Sequence, residues 1–190
     1  MDKINLISDT VPFKSRLKKP SFRFEFVLEK LRNYFGDKKL SVLDVGCGTG
    51  LLSRLLMDLK HDVTAVDIDK NLFPEIKKNC KNKVNVHSSL DEVSGQFDAI
   101  ACLQTLEHDS NPPDIMVKKM KKLLKPGGLL IITTPIEECL KDVEHYWFFN
   151  FYDILAIGES ISPVFEIYFI DKFERKGSTT NCFALVAQKI

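Results

Sequence analysis

The chain has 190 residues, 44% of them hydrophobic and 28% charged, which suits one soluble globular domain with its own core and leaves little room for a second. Lys and Arg number 27 against 26 Asp and Glu, a formal net charge of +1. That balance gives no support to a broad electrostatic attraction to nucleic acid or to an acidic membrane, and it leaves a local patch open.

Five cysteines, Cys47, Cys80, Cys102, Cys139 and Cys182, are odd in number and form no C-x-x-C pair, so a disulfide framework or structural zinc site is not expected. The first residues, MDKINLISDTVPFKSRLKK, carry no apolar signal core, and no apolar run approaches the ~20 residues that span a bilayer. The expectation is a cytoplasmic chain with no membrane partner. Its oligomeric state is not legible.

Residues 1–39 read as an N-terminal helical extension to a domain over 40–190. Lys14, Arg16, Lys18, Lys19 and Arg23 make the extension basic, and Phe22, Phe26, Val27, Leu31 and Tyr34 fall on one helical face. It is either a capping helix or a lid over the open end of a sheet. From Leu40 onward short apolar runs alternate with amphipathic segments. Strands are predicted over Ser41–Val45, Asp62–Val66, Val84–His87, Phe97–Leu103 and Leu129–Thr134. Helices are predicted over Leu51–Leu59, over Lys70–Cys80 with Pro74 in its first turn, and through Ile115, Met116, Met120, Leu123 and Leu124 until Pro126-Gly127-Gly128 stops it. The lysines at 118, 119, 121, 122 and 125 read as its solvated face. This alternation implies a parallel sheet covered on both faces. Val164–Phe173 and Thr180–Lys189 lack an intervening helix and are expected to form an antiparallel hairpin at the sheet edge.

The first strand ends in Val42-Leu43-Asp44-Val45-Gly46-Cys47-Gly48-Thr49-Gly50 and runs into a helix. Alternate glycines let the backbone turn sharply and approach a nucleoside across the C-terminal sheet edge. Asp44, just before the turn, is placed to hold a cationic amino group. A dinucleotide site would need G-x-G-x-x-G, so a nicotinamide-dependent dehydrogenase is a distant alternative. Asp67, 23 residues after Asp44 and ending the second strand in Val66-Asp67-Ile68-Asp69, is placed to accept two ribose hydroxyls. Asp69 reads as an N-cap.

The compact G-x-G-x-G after LDVGC resembles motif I of the class I S-adenosylmethionine-dependent methyltransferases. Phe97-Asp98-Ala99-Ile100, Leu106-Glu107-His108 and Leu124-Lys125-Pro126-Gly127-Gly128 resemble that family's fourth strand, the loop after it and the turn into the fifth strand. Residues 40–135 carry the resemblance, which is to a type 11/23-like small-molecule branch including quinone-biosynthesis O-methyltransferases. It implies a seven-stranded, mostly parallel Rossmann-like α/β sheet with a C-terminal antiparallel hairpin. It also implies S-adenosyl-L-methionine as cofactor, held by Asp44, Gly46, Cys47, Gly48, Gly50, Asp67 and Ile68, with Cys102, Leu103 and Gln104 at its methionine end. Where relatives carry an acid near adenine, this chain has His87-Ser88-Ser89-Leu90-Asp91, leaving Ser89 and Leu90 as the adenine candidates.

Methyl transfer from a sulfonium needs alignment and desolvation more than a base, and a base only where the acceptor loses a proton. Glu107, His108 and His145 are the candidates. Some relatives bind a divalent cation through E-x-x-E-H here. This chain has Gln104 at the first glutamate, a weaker ligand for a hard cation, and no metal is expected. The run Tyr146-Trp147-Phe148-Phe149-Asn150-Phe151-Tyr152 is either a packed helix start or an acceptor pocket wall. The expected acceptor is a small molecule, methylated at oxygen or nitrogen. An RNA or protein acceptor met by residues 14–23, or a non-catalytic cofactor-binding subunit, are the alternatives.

Overall fold

The computed structural model describes residues 17–18, 20–136, 145–170, 173–175, 178–179 and 182–190. Strands β1 (Ser41–Val45), β2 (Asp62–Val66), β3 (Asn85–His87), β4 (Phe97–Leu103), β5 (Leu124–Pro135), β6 (Phe165–Ile170) and β9 (Cys182–Gln188) form one seven-stranded sheet in the order β3-β2-β1-β4-β5-β9-β6. The first five run parallel; β9 lies antiparallel between β5 and β6. This is the expected sheet, with the reversed strand beside one edge. Short strands β7 (Phe173–Arg175) and β8 (Ser178–Thr179) pair in the connection from β6 to β9.

Side chains alternate across a strand, and here both faces are apolar because both are covered. Leu43, Ile100, Leu130 and Ile132 point into one core cluster with Val117 and Met120 of helix α4 (Pro113–Leu123) and Ile154 and Ile161 of helix α5 (Phe151–Ile161). Their neighbours Val42, Ala99, Leu129 and Ile131 point the other way. There they meet Val27 and Leu31 of helix α1 (Phe22–Phe35), Leu52 and Leu56 of helix α2 (Leu51–Asp58), and Ile76 of helix α3 (Phe73–Asn79).

Helix α1 starts at Ser21, whose hydroxyl accepts from the Arg23 N–H. Phe26 meets Tyr168 edge to face, and Lys30, only 9% exposed, donates to the Tyr168 hydroxyl at 2.7 Å. That hydroxyl donates to Glu166. Tyr34 is exposed instead of joining the apolar face. The basic residues Lys14, Arg16 and Lys19 and the cysteine Cys139 lie outside the described residues.

Two boundaries differ from the sequence reading. The segment over Lys70–Cys80 breaks into a 3-10 turn capped by Asp69 and then α3, with Pro74 in its first turn. The fifth strand starts at Leu124, before Pro126-Gly127-Gly128. Leu124 pairs with Phe97, and the register then jumps to Ala99–Leu129, so the turn residues bulge from the strand. The Gly127 N–H donates to Lys189 and the Gly128 carbonyl accepts from Lys189, fixing the bulge on the last strand. Among the described residues no helix is long and apolar enough to cross a membrane.

Candidate functional site

Strand order reverses between β1 and β4, and the loops leaving their C-terminal ends meet there. The loop after β1 turns through Gly46, Gly48 and Gly50 with φ of 69°, 52° and 79°, all in the left-handed region. Gly46 is enforced twice: a Cβ there would stand 2.1 Å from the Thr105 Oγ1. Above Gly48 there is nothing within 4 Å, leaving room for a ligand to lie on the backbone. The loop is held from β2, with the Gly46 and Cys47 N–H groups donating to the Val66 carbonyl. The half-buried Cys47 thiol lies against the Gly48 carbonyl at 3.8 Å, and burial pushes its pKa up, so it stays a neutral thiol.

Asp67 reaches this loop from the end of β2. One carboxylate oxygen accepts from the Gly48 N–H at 2.7 Å and the other from the Asp69 N–H at 3.0 Å. Burial raises its pKa and those two N–H groups oppose the rise. The adjacent Ile68 is 88% exposed, an apolar side chain without cover at the sheet edge. The Asp67 N–H donates to the His87 carbonyl, which sets Ser88, Ser89 and Leu90 beside it. Ser89 caps a 3-10 turn by accepting from the Asp91 N–H, Leu90 packs into the core, and Asp91 pairs with Lys119 at 2.7 Å.

Asp44 lies behind the loop, 3% exposed, and accepts from the Ser53 hydroxyl at 2.6 Å. Burial pushes its carboxyl up to about 6; the Ser53 hydrogen bond opposes this and the nearby Asp67 charge adds to it. A buried carboxylate with one hydroxyl donor and a second acid nearby favours a cation placed against it. Ser53 escaped the sequence reading. Its signal was a lone hydroxyl on the buried face of the LLSRLL helix.

Strand β4 delivers the opposite wall. The Cys102 side chain belongs to the core, while Leu103 and Gln104 are half-buried at the strand end. Gln104 takes φ 49°, its N–H donating to the Thr133 carbonyl and its side-chain amide to the Thr133 hydroxyl at 3.3 Å. Thr105, also missed from sequence, donates to the Leu103 carbonyl at 3.0 Å and abuts Gly46, locking the two loops together. Glu107 follows, 1% exposed, on a 3-10 turn over Leu106–His108. Burial pushes its carboxyl up to about 7, against opposing contributions from its own and the Thr105 backbone and from Arg23 of α1. One carboxylate oxygen, Oε2, has no hydrogen-bond partner among the described residues.

His145 joins Glu107 and His108 from a distant part of the chain. The Tyr146 and Trp147 N–H groups both donate to the Glu107 carbonyl, and the Trp147 indole donates to the Asp109 carbonyl at 2.7 Å. Ligand atoms of Glu107, His108 and His145 all lie within 4.8 Å of one another. Of the aromatic run, Phe149 is buried, while Tyr146, Phe148, Phe151 and Tyr152 are exposed. Asn150 closes a capping box with Asp153 that starts α5.

The fit to an adenosyl sulfonium amino acid rests on these features: the open backbone cradle at Gly48, the Asp67 carboxylate beside it, and the buried Asp44 carboxyl behind. A family model described as a methyltransferase domain matches residues 20–162. Ubiquinone biosynthesis O-methyltransferase from Rickettsia bellii is 32% identical over 119 residues, covering 59% of this chain and 49% of that protein. The mitochondrial ubiquinone biosynthesis O-methyltransferase of Saccharomyces cerevisiae is 36% identical over 109 residues, covering 52% and 35%. The chain therefore spans about half or less of the length of these curated relatives. Among solved structures, N-methyltransferase NodS from Bradyrhizobium japonicum with S-adenosyl-l-homocysteine aligns at TM-score 0.70 and 18% identity, covering 95% of this chain and 93% of that one. Magnesium protoporphyrin IX methyltransferase from Synechocystis, with SAM bound, aligns at TM-score 0.70 and 20% identity, covering 96% and 86%.

Proposed function

The chain belongs to the class I S-adenosylmethionine-dependent methyltransferases, and from that membership we propose that it methylates a small-molecule acceptor at oxygen or nitrogen. The observation that carries the reading is the loop after β1, with its left-handed glycines, the open space above Gly48 and the Asp67 carboxylate at the Gly48 amide. The curated relatives are named as ubiquinone biosynthesis O-methyltransferases, which supports a small acceptor and, of the two atoms, oxygen.

S-adenosylmethionine, when bound, supplies a methyl group already activated by a sulfonium. The residues of the chain supply position. Asp67 accepts the ribose hydroxyls, the Gly46–Gly50 backbone lies under the nucleoside, and Asp44 balances the amino group of the methionine end. The wall of Leu103, Gln104 and Thr105 fixes the angle of approach and excludes water. Glu107, poised near neutrality by burial, takes a proton from an acceptor hydroxyl as the new bond forms, with His108 and His145 beside it.

The test is transfer of label from methyl-labelled S-adenosylmethionine into a cell extract separated by size. Label in the small-molecule fraction is expected. Label in RNA or protein instead refutes the acceptor class. No label in any fraction, with S-adenosylhomocysteine binding measured separately, points to a non-catalytic cofactor-binding subunit.

A further inference from the structure

We propose that a cavity at the N-terminal ends of β1 to β4 binds a small organic phosphate, a phosphate monoester with an apolar body. Ser41, Asp62, Asn85 and Phe97 are the first residues of those four strands, and all four line one cavity of about 530 Å³. That volume falls within the ~300–1,000 Å³ of small-molecule sites. The strands run parallel, so the cavity lies at the sheet edge opposite the glycine loop and Asp67. The inference therefore stands apart from the methyltransferase reading. The opening has a cause in the chain. Between β3 and β4 only a 3-10 turn over Leu90–Glu92 forms, where a parallel crossover ordinarily carries a helix. Asp62 and Thr64 stand two apart on β2, and Thr64 pairs with Asn85, so the three share one face of the sheet. Asp62 and Asn85 are exposed there and Thr64 is half-buried.

The lining supplies donors that the fold does not use. The Lys83 ammonium, the Asn85 amide and the Thr64 hydroxyl have no hydrogen-bond or ion-pair partner among the described residues. His61 joins them. Its Nδ1 accepts from the Leu40 N–H at 3.2 Å, and burial lowers its pKa, so the ring is neutral and its proton sits on Nε2. One ammonium with three neutral donors suits the several oxygens of a phosphate better than a neutral ligand. The acid in the lining, Asp62, already has its charge met by Lys39 at 2.7 Å. Met57 and Phe97 give the apolar surface for the body of the ligand.

The segments feeding β1, β2 and β3 add charge of the same sign. Residues 36–40, 58–62 and 80–84 hold five lysines against three aspartates, in a chain whose formal net charge is only +1. Two of those aspartates, Asp58 and Asp62, are engaged by Arg54 and Lys39. Lys60 and Lys81 follow the ends of α2 and α3 with φ of 74° and 55°, the left-handed turn that lets each helix stop at this edge. A lysine-rich rim around a polar cavity draws an anion toward it.

Full-length chain is titrated with phenyl phosphate by calorimetry at low salt, with inorganic phosphate and phenol as comparisons. The phenyl phosphate titration is repeated with saturating S-adenosylhomocysteine. One phenyl phosphate per chain is expected, bound about 10-fold or more tighter than either comparison, and unaffected by S-adenosylhomocysteine. Lys83→Gln should lower the affinity about 10-fold or more, the loss of one charge-assisted hydrogen bond. Lys118→Gln, at an exposed lysine of α4 outside the cavity, should bind like the parent. Lys83 is exposed, so thermal unfolding of its variant should match the parent and separate ligand loss from misfolding. Absence of binding, equal binding of inorganic phosphate or phenol, competition with S-adenosylhomocysteine, no loss in Lys83→Gln, or an equal loss in both lysine variants overturns the proposal. Failure of the parent to bind S-adenosylhomocysteine bears on the methyltransferase reading alone.

Discussion

Replacing Asp44 by Asn is expected to make the ligand-free protein more stable and a poorer binder of cofactor. The Asp44 carboxyl is held at about 6 against an ordinary 3.8, chiefly by burial. At ~1.4 kcal/mol per pH unit, the folded protein bears about 3 kcal/mol for keeping that group ionised at pH 7.5. Because the folded pKa is raised, the contribution of Asp44 to stability is fully present below 3.8 and lost as pH rises through about 6. Asn keeps an oxygen to accept from Ser53 and adds an amide needing a partner, which costs about 1 kcal/mol. The net gain at pH 7.5 is about 2 kcal/mol, or roughly 4–8 °C in Tm for a chain of this size. Thermal and urea unfolding at pH 7.5 and pH 4 measure it. The gain should shrink to nothing, or change sign, at pH 4, where the carboxyl is neutral in the fold. Calorimetry with S-adenosylhomocysteine should show affinity down by about 10-fold or more, because the buried charge meant for an amino group is gone. A variant less stable than the parent at pH 7.5, or a gain that persists unchanged at pH 4, refutes the reasoning.

Asp67→Ala removes a carboxylate that accepts from the Gly48 and Asp69 N–H groups and is assigned the ribose hydroxyls. Affinity for S-adenosylhomocysteine is expected to fall about 10–100-fold by calorimetry; unchanged affinity removes the assignment. Gly46→Ala combines φ 69° with a Cβ placed 2.1 Å from the Thr105 hydroxyl. Urea unfolding should show a loss of about 2–5 kcal/mol. Thr105→Gly in the same chain should recover the steric share and leave the backbone share; no recovery argues against the clash.

The parallel strands and the glycine loop were legible because local patterns dictate them. A buried strand needs a short apolar run, and a left-handed turn needs glycine. The positions of Asp44, inside β1, and Asp67, just past β2, followed from the strand patterns. What escaped depends on distant chain. Leu124 is a strand residue only because Phe97 and Lys189 hold a bulge around the Pro-Gly-Gly turn. Ser53 matters because its helix turns it onto Asp44, and Thr105 because it fills the space that Gly46 leaves. His145 was named with Glu107 and His108 as a candidate, but its approach to them depends on backbone bonds between segments far apart in sequence. Gln104 reads as a weakened ligand, while its left-handed backbone and its tie to Thr133 are visible only in the fold.

The fastening of α1 has a consequence for the order of assembly. Lys30 finds its hydroxyl partner on Tyr168, 138 residues later in the chain, and the strand carrying Tyr168 joins the sheet only through β9. A helix made early on the ribosome must therefore wait for the last strand before its buried lysine is satisfied. Long loops of this kind are closed late because their entropy is spent before their contacts are gained. A nascent chain stalled before β9 should already hold residues 22–35 on β1, β4 and β5 through Val27 and Leu31, with Lys30 still lacking the fixed Tyr168 hydroxyl. Release of the final strand then pins β6 and with it the Lys30–Tyr168 contact.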